Sequence, residues 1–218
     1  MNVLVVSPHP DDETLGAGGT ILKLMEQGHK VYWLNVTDIQ NFNIPDEEKE
    51  KRSRLIKKVA QEYGFEKSFN LRLPATELDT VTDTEGITAI SKVIYDVKPE
   101  WIILPDGNDI HSDHRRVFDW CFSCTKIFRY PFIKKILTME IISETNFTLP
   151  EHTFCPNIFT DISDYMEKKI TIACMYDTEI GEHPFPRSVD SIRALATLRG
   201  AMAGVKYAEA FKVLKEII

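Results

Sequence analysis

The sequence has no long hydrophobic run and no excess of positive charge, and each absence excludes a class of protein. None of its apolar runs approaches the roughly 18–20 residues needed to cross a bilayer. The apolar stretch near the N-terminus, residues 2–7, is too short for the core of a signal peptide. The net charge of −7 argues against binding to nucleic acid or to anionic membranes, because both need a basic surface. We therefore expect a cytoplasmic protein without a transmembrane segment.

Cysteine is also scarce, and the two short motifs that suggest other chemistry are better explained by packing. Four cysteines favour a reducing compartment over a disulfide framework. Cys121 and Cys124 form a single Cys-x-x-Cys among apolar residues at helical spacing, so we interpret them as core residues. The glycines of residues 16–19 do not match the dinucleotide pattern Gly-x-Gly-x-x-Gly, because Ile21 fills its last place. They are more typical of a helix that packs closely against a sheet.

Strand-like and helical patterns alternate along the chain, which predicts an α/β protein. We expect a three-layer, Rossmann-like fold with a mostly parallel sheet, formed by one domain that covers residues 1–218. The expected strands are residues 2–7, 30–36, 101–104 and 133–143. The expected helices are residues 15–27, 46–63, 84–97, a helix after residue 114 that ends near 128, one that ends near 174, and one from about 188 to 199. Residues 207–211 fit either a strand or the start of a last helix.

Two polar motifs stand where buried strands are expected to end. The first reads Pro-His-Pro-Asp-Asp-Glu over residues 8–13, and the second reads His-Ser-Asp-His over residues 111–114. In open α/β sheets, ligands bind just beyond the carboxyl ends of the strands. The two motifs therefore predict one metal site at the C-terminal ends of the strands.

The spacing within the motifs indicates a catalytic metal. His9 and Asp12 are three residues apart, as are His111 and His114, so each pair can share one helix face. A catalytic zinc takes three protein ligands and keeps one open position. His9, Asp12 and one of the two later histidines meet that count, and the spacing leaves open which histidine it is.

The remaining polar groups of the motifs suit acid–base chemistry. Asp11 points away from Asp12 and is suited to act as general base toward a water held at the metal. The histidine that does not bind the metal, held by Asp113, is suited to donate a proton or to stabilise an oxyanion. We expect a metal-assisted amide hydrolase with Zn²⁺, and Fe²⁺ is compatible with the same ligands.

The same residues resemble a known family, the PIG-L/LmbE-type de-N-acetylases. The resemblance is strongest over residues 1–37 and 101–117, and it returns at Arg187-Ser188 and at residues 206–211. It implies a zinc hydrolase that removes acetyl from an N-acetylated amino sugar. It also implies the roles of the residues: His9, Asp12 and His114 as metal ligands, Asp11 as general base and His111 as the second catalytic group.

One position departs from the family's pattern. Family members tend to have Arg-x-x-Glu early in the second helix, whereas here Arg54 is followed three residues later by Lys57. We assign Arg54 to substrate binding on this resemblance. The alternative is that Arg54 belongs to a solvated helix face, because it lies within a run of basic residues.

Two other functions remain open at this point. Two histidines and one carboxylate also form the facial triad of Fe(II) oxygenases, and the chain could be a non-catalytic sugar-binding subunit of the same fold. The sugar is also open: free, nucleotide-linked, lipid-linked and thiol-linked N-acetyl sugars all suit the motifs. We expect specificity in the loops at residues 39–46, 108–110 and 145–157. The sequence is compatible with either a monomer or a homo-oligomer.

Overall fold

The computed structural model describes all 218 residues, which form one seven-stranded sheet with helices on both faces. The strands are β1 (Asn2–Ser7), β2 (Lys30–Asp38), β3 (Lys67–Pro74), β4 (Trp101–Leu104), β5 (Lys135–Met139), β6 (Ile158–Asp161) and β7 (Ala208–Glu216). The helices are α1 (Asp12–Glu26), α2 (Asp46–Tyr63), α3 (Asp83–Val97), α4 (Ser112–Ser123), α5 (Met166–Ala173) and α6 (Val189–Ala203). The sheet order is β3-β2-β1-β4-β5-β7-β6.

The sheet is mostly parallel, and its two faces bury separate cores. Strands β1 to β5 pair in parallel, whereas β7 pairs antiparallel with both β5 and β6. Val3 and Val5 of β1 belong to the core that also contains residues of α1, α2, α5 and α6. Leu4 and Val6, which point to the opposite face, belong to the core with α3 and α4. The predicted three-layer α/β fold is thereby confirmed.

The predicted elements agree with the structure at the centre of the sheet and differ at its edges. Strands β1 and β4 and helix α2 have the predicted bounds. Helix α1 begins at Asp12, so its two acidic residues lie in the first turn, where the helix dipole favours them. Residues 208–216 form a strand, which settles the open choice near the C-terminus.

Strands β3 and β6 were not expected, because both lie at sheet edges and lack a buried apolar run. The structure also ends α4 earlier than expected and shortens β5.

The cysteines and glycines behave as packing residues. Cys121 and Cys124 are fully buried within the core beside α3 and α4. A Cβ added at Gly19 would lie 2.6 Å from the Ile162 side chain, so α1 can approach its neighbour only with glycine there. The interpretation of both motifs as packing features is confirmed.

None of the helices combines the length and the apolar character that a bilayer crossing needs.

Candidate metal centre

The site lies where β1 and β4, adjacent strands at the centre of the sheet, reach their carboxyl ends. The chain leaves β1 toward β2 on one side and later adds β4 on the other, which makes this edge the topological switch point. A tight turn leads from β1 into α1, and the His9 backbone N–H donates to Asp12 Oδ2 at 2.8 Å. Asp11, at this turn, has a φ of 146°, a strained value for a residue other than glycine.

Three side-chain atoms from the two motifs face one another. His9 Nδ1 lies 3.2 Å from His114 Nε2, and Asp12 Oδ2 lies 3.2 Å from His114 Nε2 and 3.5 Å from His9 Nδ1. In a tetrahedral site with bonds of about 2.0–2.1 Å, neighbouring ligand atoms are about 3.3–3.4 Å apart. Two imidazole nitrogens and a carboxylate oxygen with these separations therefore fit a divalent metal ion such as zinc.

Each of the two histidines also has a carboxylate on its other ring nitrogen. His9 Nε2 lies 3.0 Å from Asp113 Oδ2, and His114 Nδ1 lies 3.0 Å from Asp109 Oδ2. Metal-binding histidines commonly have such a partner, which fixes the tautomer and the orientation of the ring. This arrangement leaves His9 Nδ1 and His114 Nε2 as the atoms that face Asp12.

The electrostatics of the group favour positive charge at its centre. Burial disfavours the charged form of His9, but Asp113 and Asp12 outweigh it and raise the pKa of His9 to about 9. Burial likewise disfavours the Asp12 carboxylate, but His114 and His9 hold the pKa of Asp12 well below its ordinary range. The surroundings therefore stabilise the Asp12 carboxylate in its anionic form, the form in which a carboxylate binds a metal ion.

Asp11 lies beside this group and has the opposite character. Burial and the nearby Asp12 carboxylate raise the pKa of Asp11 well above its ordinary range, and Arg187 opposes them. Arg187 Nη1 lies 2.9 Å from Asp11 Oδ2. A buried carboxylate with a raised pKa takes up a proton more readily, so Asp11 is suited to act as a base.

His111 lines the same cleft, but its partner differs from the expected one. The Asp113 side chain contacts His9 and accepts from the Thr76 backbone N–H at 2.7 Å, so it does not hold His111 as the motif suggested. Instead, His111 Nδ1 accepts from the backbone N–H of Asp113 at 3.1 Å. The neutral ring therefore carries its proton on Nε2. Burial, with His9 and His114 nearby, lowers the pKa of His111 to about 4, which keeps this ring neutral.

Arg54 does not lie in the cleft. It is an exposed residue of α2, and its Nη1 donates to Glu50 at 3.2 Å. The arginine of this helix that does line the cleft is Arg52, whose Nη2 donates to the Pro10 carbonyl at 3.0 Å. Residues two apart on an α-helix point about 200° apart, so only one of the two can face the site. The structure thereby corrects the position expected for Arg54: of these two arginines, Arg52 lines the cleft and Arg54 lies outside it.

Several residues of the site carried no local signal in the sequence. Arg187 donates to Glu144 Oε1 at 3.0 Å and to Glu179 Oε2 at 3.2 Å, in addition to Asp11, and all four side chains line the cleft. The partners of Arg187 come from loops that are distant in the sequence. The only available signal was the resemblance of Arg187-Ser188 to the family's closing segment. Asp109 was likewise not singled out.

The fold and the site together define an α/β protein with a cluster of histidine and aspartate side chains, suited to hold a metal ion, at the switch point of its sheet. The chain belongs to the PIG-L family, described as GlcNAc-PI de-N-acetylase, whose family model matches residues 4–124. The matched residues include both motifs and end at residue 124, one residue past the end of α4.

The similarity to particular proteins extends over nearly the whole chain. Diacetylchitobiose deacetylase of Thermococcus kodakarensis is 28% identical over 231 residues, which cover 99% of this chain and 84% of that protein. Among solved structures, N,N′-diacetylchitobiose deacetylase from Pyrococcus horikoshii, complexed with its inhibitor MPG, superposes with a TM-score of 0.80 at 24% identity. That superposition covers 98% of this chain and 84% of the other.

The same fold also supports a different reaction. The 4-carboxy-2-hydroxymuconate hydratase GalB from Pseudomonas putida superposes with a TM-score of 0.75 at 17% identity, covering 100% of this chain and 97% of that one. The fold alone therefore does not decide between deacetylation and hydration, and the function has to be argued from the site.

Proposed function

We propose that this protein is a metal-dependent hydrolase that removes the acetyl group from an N-acetylated amino sugar. Membership of the PIG-L family and the similarity to diacetylchitobiose deacetylases support this proposal. The single observation that carries it is that ligand atoms of His9, Asp12 and His114 face one another, with the Asp11 carboxylate lining the same cleft. This combination suits the hydrolysis of an amide.

The proposed ligands are His9 Nδ1, Asp12 Oδ2 and His114 Nε2. A divalent metal held by them, which we propose to be zinc, would supply a nucleophilic water at neutral pH and would polarise the amide carbonyl. Asp113 and Asp109 orient the two imidazoles. Arg187 keeps the Asp11 carboxylate in place at the side of the cleft.

Asp11 and His111 carry the proton chemistry. Asp11 takes a proton from the attacking water while the water oxygen bonds to the carbonyl carbon. His111 presents an Nε2–H to the cleft, where it can donate a hydrogen bond to the developing oxyanion. The C–N bond breaks only after the nitrogen gains a proton, and the carboxyl group of Asp11 has just received one. The products are acetate and the free amino sugar.

A screen for newly formed primary amine tests the proposal. The purified, zinc-loaded protein is incubated with a panel of N-acetyl sugars and sugar conjugates, and fluorescamine reports the amine. Asp11→Asn should keep the metal and lose about 10²-fold or more in turnover, the scale of a positioned general base. Asp79→Asn, which changes an acidic residue outside the cleft, is the matched control and should keep full activity. Absence of amine from the whole panel would exclude the proposed reaction.

The oxygenase alternative has a separate outcome. Oxygen activation has no use for Asp11 or for the second histidine, His111, whereas hydrolysis uses both. Oxygen uptake by the iron-loaded protein, with no amine formed from any N-acetyl sugar, would favour the oxygenase.

A further inference from the structure

The proposed general base lies in a strained turn whose peptide groups are held by several contacts. Asp11 has a φ of 146° and a ψ of −28°, a combination that a residue other than glycine keeps only where its surroundings enforce it. Its carbonyl accepts from the backbone N–H groups of Thr14 and Leu15, both at 2.9 Å. Its own N–H donates to Glu13 Oε2 at 3.1 Å. Glu13 therefore supplies the contact that the helix backbone cannot supply.

Glu13 is a buried acid that the proposed chemistry does not use. It is 0% exposed, and it does not line the cleft. Burial of a carboxyl group is costly unless its oxygens find hydrogen-bond donors. Thr14 Oγ1 and Tyr176 OH donate to Glu13 Oε1 at 2.6 and 2.7 Å. These two hydroxyl groups orient the side chain so that Oε2 faces the Asp11 N–H.

The segment after α5 reaches Asp11 by two routes. Tyr176 orients Glu13, which holds the Asp11 backbone. The backbone N–H of Glu179 donates to the Tyr176 carbonyl at 2.9 Å. The Glu179 side chain contacts Arg187, which in turn holds the Asp11 carboxylate. The backbone and the side chain of the proposed base are thus fixed by separate contacts, and loss of either one should let the carboxylate move.

We propose that Glu13 is a positioning residue for the reaction, because its hydrogen bond to the Asp11 backbone N–H keeps the turn in the conformation that places the Asp11 carboxylate at the cleft. This inference rests on the proposed function and adds a residue to its machinery. The contact requires an acceptor oxygen and no negative charge. The rate depends on placement, since a shift of about 1 Å in a reacting group can cost about 10²-fold.

Two substitutions separate the hydrogen bond from the charge of Glu13. Glu13→Leu keeps a side chain of similar size but removes the acceptor, so kcat should fall by about tenfold or more while KM and metal content change little. Glu13→Gln keeps an acceptor. Its oxygen can face the Asp11 N–H while the Thr14 and Tyr176 hydroxyls turn to accept from its NH₂ group, and the opposite orientation would place two donors face to face. Glu13→Gln should therefore keep most of kcat, and equal losses in the two variants would overturn the inference.

A gentler variant decides the case in which Glu13→Leu does not fold. Tyr176→Phe removes one of the two hydroxyls that orient Glu13 and should lower kcat by less than Glu13→Leu, because Thr14 still donates. Tyr130→Phe is the matched control, because it removes a buried tyrosine hydroxyl that contacts Ser91 Oγ at 3.0 Å in the core beside α3 and α4. Equal kcat values for the two tyrosine variants would overturn the inference.

The decisive experiment repeats these substitutions in an Asp11→Asn background, with an N-acetyl sugar that releases amine in the screen. A residue that acts through Asp11 loses its effect once the base is gone, so Glu13→Leu, or Tyr176→Phe in its place, should then lower kcat little further. A residue that only supports the fold would lower kcat by the same factor in both backgrounds. That result would overturn the inference and leave the proposed deacetylation standing. No amine from the unsubstituted protein with any N-acetyl sugar would overturn both.

Discussion

Arg187 Nη1 lies 2.9 Å from Asp11 Oδ2, although the two residues are 176 positions apart in the sequence. The same guanidinium contacts Glu144 and Glu179, so it joins the turn after β1, the segment after β5 and the loop between α5 and α6. The proposed general base is therefore held by a residue from the far end of the chain. Its position depends on the completed fold.

Replacement of Arg187 should disturb catalysis more than metal binding. Arg187→Lys keeps the charge but removes the planar fork that contacts three carboxylates, so we expect kcat to fall by about tenfold or more. Arg193→Lys is the matched control, because Arg193 contacts Glu167 with both Nη groups on the exposed surface. Steady-state kinetics with parallel metal analysis checks this. Full kcat in the Arg187 variant would show that Asp11 does not need this contact.

The metal ligands give the next prediction. His9→Ala and His114→Ala should each lower the metal content well below one divalent ion per chain, since each removes one of the three facing ligand atoms. His152→Ala, which changes an exposed histidine, should keep full occupancy. Elemental analysis of the purified variants measures this directly. Full occupancy in both ligand variants would rule out the assigned centre.

Asp109 should contribute to metal affinity without touching the metal. Its Oδ2 lies 3.0 Å from His114 Nδ1, and loss of such a carboxylate typically costs about 10–100-fold in metal affinity. Asp109→Asn should show a loss of this size in competition with a chromogenic chelator. Asp119→Asn, an exposed position of α4, serves as the control. An unchanged metal affinity in Asp109→Asn would mean that His114 is oriented by other contacts.

A buried ion pair between α5 and β7 should contribute strongly to the stability of the fold. Lys169 Nζ lies 2.6 Å from Glu209 Oε1, and both side chains are 4% exposed. Glu209 also accepts from the backbone N–H groups of Gly19 and Thr20 in α1. Lys169→Met leaves this carboxylate buried without its counter-ion, so we expect a loss of about 3–5 kcal/mol in the free energy of unfolding.

The neighbouring lysine provides the control for that experiment. Lys168 contacts Glu62 at the surface, where an ion pair contributes about 0–1 kcal/mol, so Lys168→Met should change stability little. Chemical denaturation of both variants at the same pH gives the comparison. A difference between them below about 1 kcal/mol, the upper end of what a surface pair contributes, would show that the buried pair is compensated elsewhere.

The sequence predicts those parts of the site that depend on local order. The sequence showed the apolar runs of β1 and β4 and the polar motif that follows each of them. Because the two strands pair in parallel, both motifs lie at the same edge of the sheet. The spacing of His9 and Asp12 predicted one shared helix face; in the structure His9 lies in the turn before α1, and its Nδ1 still comes within 3.5 Å of Asp12 Oδ2. Short-range patterns were sufficient for these features.

The rest of the site depends on contacts between distant segments. Nothing near Arg187 or Asp109 indicates their partners, which the loops bring together only in the folded protein. To choose between Arg52 and Arg54, one has to know which face of α2 is turned toward the cleft. A run of basic residues does not reveal this orientation. The edge strands β3 and β6 were not predicted, because their residues are at most partly buried and form no apolar run.

One measurement tests the central claim most directly. The protein is stripped of metal with a chelator, reloaded with one equivalent of zinc, and incubated with N,N′-diacetylchitobiose while acetate and primary amine are quantified together. The account predicts that the stripped protein is inactive and that the reloaded protein releases acetate and amine in equal amounts. Amine without acetate, or equal turnover before and after removal of the metal, would contradict it.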